Sequence, residues 1–243
     1  MRKVCYTGAI SKNNFGTDMK IIQELPKGKC IIEFQDEHKL HKEINNTNFS
    51  NGNVKNPYDK TLYGIGYIGV GKYKVSGNDK SPVSIAYKFW FSLMERCYSE
   101  KRRWKYSAYD DKYMSEKWYN FQDFGAWLDD NYYEIKGEVM QLDKDILVKG
   151  NKVYSPDTCL IVPQRINMLF VEKKNKWNFP SGIRMSKSGK YIASYNEVHL
   201  GTIDNLEQAI QIHDNAKRIH IRNIAEEYKG SISQKVYDAL YNW

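Results

Sequence analysis

The sequence predicts an α+β protein built from several small units. At 243 residues the chain is long enough to bury real cores. Its character changes along its length, from a polar β-rich start, through an aromatic helical middle, to a polar sheet-like end. Two later stretches run strand, turn, strand, helix and then sheet followed by helix. The expected division is a β-rich unit over 1–60, a helical unit with a ββα segment over 61–175, and a sheet–helix module over 178–243.

In the first unit, Cys30 to Phe34 has the β-branched and aromatic residues of a strand, and Met19 to Leu25 reads as the strand before it. Pro26-Lys-Gly28 between them is a turn signal. Residues 45–57 are rich in Asn and Gly and read as loop. The segment "TLYGIGYIGVGKYK" (61–74) invites comparison with a phosphate-binding loop, but a dinucleotide fingerprint needs a strand before it and a helix directly after. Here Gly alternates with Tyr and Ile, which predicts a tight extended hairpin.

From Ser84 to Tyr98 the pattern turns helical, with Ile85, Phe89 and Leu93 on one stripe and Trp90 and Met94 on the adjoining one. Arg96, Lys101, Arg102, Arg103 and Lys105 follow. This basic cluster suits a helix C-terminus electrostatically, and equally suits contact with phosphates. A second helix is expected over 118–130, with Phe121, Phe124, Trp127 and Leu128 on one face. The 19 tyrosines and 6 tryptophans concentrate in this middle region, where they either fill a small core or stack on bases.

Leu142 to Ile146 reads as a strand, Lys149-Gly-Asn151 as a turn and Cys159 to Val162 as a second strand. Pro163 then opens a helix at its favoured first position. Further on, "GIRMS", "GKYIASYN" and "VHLGTI" are three strand-like runs, with "KSG" as the first hairpin turn. A helix follows, with Asp204 as N-cap, Glu207 three residues on, and Ala209, Ile212, Ala216 and Ile219 on the face expected to meet the sheet. Alternation puts Tyr191, Ala193 and Tyr195 on the helix side and Lys190, Ile192, Ser194 and Asn196 on the other.

Lys and Arg total 37 against 29 Asp and Glu, a net charge of +8. That balance suits a polyanionic partner, because each cation set against a phosphate releases a counterion. A basic, solvated surface with no such partner has the same composition. The four cysteines form no CxxC pair, which argues against a zinc site or a disulfide framework. No apolar run reaches the ~20 residues that span a bilayer, and no signal-peptide core is visible at the start. The expectation is an intracellular, cytoplasmic protein of a bacterial host with no membrane partner.

The segment "MQLDKDILVKGNKVYSPDTCLIVPQRINML" (140–169) resembles a degenerate HNH endonuclease motif of the kind common in phage and mobile-element proteins. The upstream "WFSLMERCYSE" and "SEKWYNFQDFGAWL" are similar to the segments that precede it there. The resemblance makes Asp143 the metal-binding carboxylate, puts Lys144 at the first His position, and makes Asn151 the central Asn and Asn167 the last ligand. An HNH site uses a neutral imidazole as base beside a divalent metal. Here the base position holds Lys144, an amine that is ordinarily protonated at neutral pH, and no histidine lies between Leu62 and Gly182. The resemblance therefore implies a retained fold with catalysis lost or crippled. The same "LDKD" also reads as a hairpin whose charges face water.

In the last module, "SGIR", "SGKYIAS", "LGTI" and "LEQAI" resemble the Apetala/ethylene-response-factor type of DNA-binding domain. Such a domain lays its three-stranded sheet in the major groove with the helix behind. Carried over, Arg184, Ser186, Ser194, Asn196 and His199 fall on the DNA side, with Arg184 the guanine reader and Lys187 and Lys190 on phosphates. This chain has fewer arginines and no tryptophan on that sheet. A polar, solvated sheet face without a ligand is the plainer reading.

The leading expectation is double-stranded DNA binding by a basic phage or mobile-element protein, assisted by Arg102 and Arg103, with no cofactor required. One rival is a metal-dependent nicking or homing endonuclease using Asp143 and Asn167 with Mg²⁺ or Mn²⁺. The other is a phage-encoded inhibitor of a host protein.

Overall fold

The computed structural model describes residues 6–76, 83–105, 111–171 and 179–243; Cys5 and the side chains of Arg103 and Lys105 lie outside the described residues. The class is α+β, as the sequence predicts. The chain forms two compact units, Met1–Asp130 and Asn131–Trp243.

The first unit begins with a four-stranded antiparallel meander of β1 (Ile10–Lys12), β2 (Asp18–Leu25), β3 (Lys29–Phe34) and β4 (His41–Asn45). Alternation along β2 and β3 puts Met19, Ile21, Cys30, Ile32 and Phe34 on one face, where Ile44, Phe49 and Val54 complete a core. The β2–β3 turn takes Lys27 and Gly28 through positive φ, at 61° and 72°. Phe49 comes from α1 (Asn46–Asn51), a helix where the sequence suggested loop. It forms because Phe49 docks in the core and Gly52 closes it in the left-handed conformation, φ 69°.

The helical part of this unit comprises α2 (Ile85–Tyr98), α3 (Glu100–Lys105), the short strand β5 (Tyr113–Met114) and α4 (Phe121–Asn131). Ser84 caps α2, its hydroxyl accepting from the Tyr87 amide at 3.2 Å. The buried stripe of α2 is Trp90, Leu93, Met94 and Cys97, whereas Ile85 is exposed. Trp90, Trp118, Phe121 and Phe124 are fully buried, so these aromatics build core, and the Trp90 indole donates to the Trp118 carbonyl at 2.7 Å.

Residues 61–74 do not form the expected hairpin. They cross the unit in turns with only isolated bridges, Leu62 to Gly66 and Tyr67 to Asn120. Gly66 packs closely: a Cβ there would sit 2.0 Å from the Met94 methyl, which would have to move, and 3.0 Å from the Trp90 ring. Gln122 pins the same segment, accepting from the Tyr73 amide at 3.0 Å and donating to the carbonyls of Ile68 and Tyr73 at 3.1 Å each.

The second unit contains two layers joined by one helix. The strands β6 (Met140–Asp143) and β8 (Leu160–Pro163) pair antiparallel, with the short strand β7 (Val153–Tyr154) between them in sequence and α5 (Gln164–Met168) directly after. Pro163 is the residue before α5, not its first residue. The strands β9 (Ile183–Met185), β10 (Tyr191–Tyr195) and β11 (Val198–Ile203) form a three-stranded antiparallel sheet with β10 central.

The helix α6 (Leu206–Glu227) serves both layers. Its first turns bury Ala209 against Ile183 and Ala193 of the sheet. Its last turns bury Ile221, Ile224 and Ala225, with Tyr228 beyond, in a core shared with Ile146, Leu160, Val162, Ile166 and Phe170. The terminal helix α7 (Gln234–Tyr241) adds Val236 and Leu240 to that core. Hence no boundary separates a ββα unit from a 178–243 module: they share a core. No helix of the described residues is long and apolar enough to cross a membrane.

Candidate nucleic-acid interface

The β9–β11 sheet has one face on α6, and among the described residues no element packs on the other. Register decides which residues lie where. Ala193 sits opposite Ile183 on β9 and Gly201 on β11, and this row faces the helix. One residue along, Ile192 sits opposite Arg184 and Thr202, so these three form a row across the outer face. Ser194 then pairs with His199, which leaves Leu200 as an extra residue on β11, a β-bulge. Leu200 turns inward onto the helix-side cluster and His199 stays outward and exposed.

Gly182 fixes the start of this sheet. It adopts φ 83°, and a Cβ would lie 2.3 Å from the Ser194 carbonyl oxygen and 2.5 Å from the His213 ring. Ser194 uses that closeness, its amide and hydroxyl both donating to the Gly182 carbonyl, at 2.9 and 3.2 Å.

The outward residues differ in how far they are already committed. Arg184 is exposed, and its guanidinium makes no hydrogen bond or ion pair among the described residues. Lys187, at the tip of the Ser186–Gly189 turn, and His199 are likewise exposed and free among the described residues. Ser186 holds that turn: its hydroxyl accepts from the Lys190 amide at 3.0 Å, and its own amide donates to the Lys190 carbonyl at 2.7 Å. The Lys190 ammonium is 3.0 Å from Asp204.

Asn196 leaves the expected face. Asn196 and Glu197 form the β10–β11 turn, with φ 45° and 65°, and the Asn196 amide lies 3.3 Å from His220 Nδ1 on α6. Tyr195 reaches the same nitrogen at 2.8 Å, which anchors the turn to the helix. The α6 cap is also corrected. Asn205, not Asp204, accepts from the Gln208 amide, at 3.0 Å, leaving Asp204 for Lys190. Ile212 and Ile219, expected against the sheet, are exposed.

Thr202 is the outward residue that simple alternation misses. Counting by twos from His199 sends Gly201 and Ile203 outward, whereas the bulge at Leu200 inverts the phase and brings out Thr202. In the first unit, Arg102 is half-buried and bonded to Glu95 at 3.1 Å.

The ββα segment keeps the strand, turn, strand and helix order, but its first strand is Met140–Asp143 and ends before Lys144–Ile146, expected within it; its four singled-out residues hold the segment together. Asp143 ends β6 opposite Leu160, and Gln141 lies opposite Val162, which puts both on the face that carries the α5 core. Asp143 Oδ1 accepts from the amides of Asp145 and Ile146 at 2.8 and 2.7 Å. Burial pushes its pKa up to about 6 against the pull of those two donors. Lys144 is 5 % exposed. Its ammonium bonds both oxygens of Asp145 at 2.7 Å and lies 5.6 Å from the Tyr154 ring centre.

Asn151 ties the intervening loop, donating to the carbonyls of Lys144 and Val153 at 3.1 and 2.8 Å and accepting from the Val153 amide at 3.0 Å. Asn167, on α5, donates to Gln141 at 2.5 Å. These groups do not fit a divalent cation. A hard ion wants several oxygen ligands, while here one Asp143 oxygen and both Asp145 oxygens already hold donors of the chain. Among the described residues no three His, Cys, Asp or Glu side chains converge as a metal group.

Comparison with protein families, curated proteins and solved structures gives no match.

Proposed function

We propose that this protein binds double-stranded DNA through the open face of the β9–β11 sheet. The observation that carries the reading is the row Arg184–Ile192–Thr202, flanked by Lys187, Lys190 and His199, on a face that α6 leaves uncovered. Arg184, whose fork is free, suits the paired acceptors of guanine, and Thr202 and Ile192 suit a thymine methyl. Lys187 at the hairpin tip and Lys190 beside it suit phosphates, which position the sheet without reading sequence. The net charge of +8 supports the same polyanion.

The test is selection of the purified chain against a random double-stranded DNA pool at near-physiological salt without metal. An enriched motif, with affinity falling steeply as salt rises, supports the proposal. Failure to retain DNA at any salt sinks it. Nicking of the recovered duplex in Mg²⁺ or Mn²⁺ would place an enzyme on this scaffold instead. Tight capture of a host protein without DNA affinity would favour an inhibitor.

A further inference from the structure

The helix α3 carries a feature that the sheet reading does not use. Its six residues are Glu-Lys-Arg-Arg-Trp-Lys, and Trp104 is 91 % exposed. Of the other described tryptophans of that unit, Trp90 is 0 % and Trp118 1 % exposed and Trp127 is half-buried; the next most exposed aromatic there, Phe15, is 59 % exposed. An indole left in water forgoes the large gain that burying an aromatic side chain brings. The helix is held to the end of α2, with the Arg102 amide donating to the Ser99 carbonyl at 3.0 Å and the Arg102 guanidinium on Glu95 at 3.1 Å. Lys101, three residues before Trp104, shares its side of the helix. Its ammonium is exposed and has no ion pair among the described residues.

We infer that Trp104 stacks on a nucleobase of the bound DNA, with Lys101 on an adjacent phosphate. This rests on the DNA-binding reading and adds a second contact, in the first unit, to the one proposed for the sheet. The charge of α3 decides the occupant: four basic residues against one acidic residue call for a polyanion. Of polyanions, nucleic acid also offers flat π faces for an indole, and base–aromatic stacking tolerates any sequence. The two contacts therefore divide the work: the sheet reads, and Trp104 grips a base wherever a step opens.

The experiment uses the full chain and the duplex recovered from selection, with 2-aminopurine placed at successive positions. Trp104→Ala is expected to weaken binding by up to about 150-fold, one base stack less the cost of opening the duplex step, and to leave the slope of log K against log salt unchanged. Trp104→Phe keeps a ring and is expected to restore most of the affinity. Lys101→Ala should instead lower that slope by about 0.9, the signature of one phosphate. A change in 2-aminopurine fluorescence on binding wild type, absent with Trp104→Ala, would locate the stacked base.

Equal affinity and equal fluorescence for wild type and Trp104→Ala, with unchanged thermal stability, overturn the stacking contact while the sheet reading stands. A chain that retains no duplex at all removes both. Loss of binding to anionic vesicles or to an acidic protein on Trp104→Ala, with DNA affinity intact, assigns the indole to a different partner and overturns the inference.

Discussion

Asp143→Asn tests whether the carboxylate at the HNH-like position is held at an energetic cost. In the folded chain burial raises Asp143 from 3.8 to about 6, although two backbone amides favour its charged form. A displacement of about two pH units corresponds to about 3 kcal/mol. The sign follows from proton counting. Between about pH 4 and pH 6 the folded chain keeps a proton that the unfolded chain has released, so stability falls as pH rises through that window and stays reduced above it.

Asparagine retains the oxygen that accepts from Asp145 and Ile146 but never ionises. The variant should therefore match wild type at pH 4 and exceed it by up to about 3 kcal/mol at pH 7. The lowered pKa values of Glu33, Asp129, Glu226 and Glu227 give the opposite slope at lower pH, and they cancel in the difference between variant and wild type. The assay is amide exchange of β6 and β8, corrected for intrinsic rates, alongside the Asp143 carboxyl ¹³C titration. A midpoint at or below 3.8 would mean that the two amides outweigh burial, and the reasoning would be wrong.

Arg184→Ala should cost about 1–3 kcal/mol on the selected site and relax one base preference; an equal loss on every sequence would make Arg184 a phosphate contact. Asn151→Ala removes the side-chain partners of the Val153 amide and the Lys144 carbonyl, while the Val153 carbonyl keeps the Thr158 hydroxyl at 3.3 Å, and should cost about 1–3 kcal/mol, read as a lower urea midpoint and faster exchange across 144–154. Ile221→Ala, at a fully buried position of the shared core, should cost about 2–5 kcal/mol and reduce exchange protection in β6, β8 and the β9–β11 sheet together. Loss confined to β6 and β8 would show that α6 does not couple the two layers.

Much of the local structure was legible because it rests on periodicity and turn chemistry. The β2 and β3 alternation, the turn at Lys27-Gly28 and the ββα order all follow from residues near in sequence. What escaped depends on residues far apart. The helix α1 is written in Asn, Thr and Ser, poor helix formers, and exists because Phe49 is buried in the sheet core. The buried stripe of α6 was misassigned because the helix faces two cores in turn. Ile212 and Ile219 fit a single stripe, whereas the chain buries Ala209 and His213 first and Ile221, Ile224 and Ala225 later. The outward row of the candidate site was partly legible: Ile192 follows from alternation and Arg184 from the family resemblance, while Thr202 depends on a bulge that no local residue announces.

The shared helix changes how the proposed DNA-binding face can be dissected. Cutting the chain after Asn178 to remove the sheet also removes Ile221, Ile224, Ala225, Tyr228, Ile232, Val236 and Leu240, most of the core beneath β6 and β8. The β6–β8 hairpin would then expose Leu160, Val162, Ile166 and Phe170 to water. Loss of sequence preference in such a fragment would follow from unfolding as readily as from loss of a reader. Substitutions on the outer face have no such consequence, because Arg184, Lys187 and His199 contribute nothing to either core. The same helix bears on the proposed DNA contact: α6 packs on the β6–β8 hairpin through one core and on the β9–β11 sheet through another, so a core substitution in either layer is expected to reach the other.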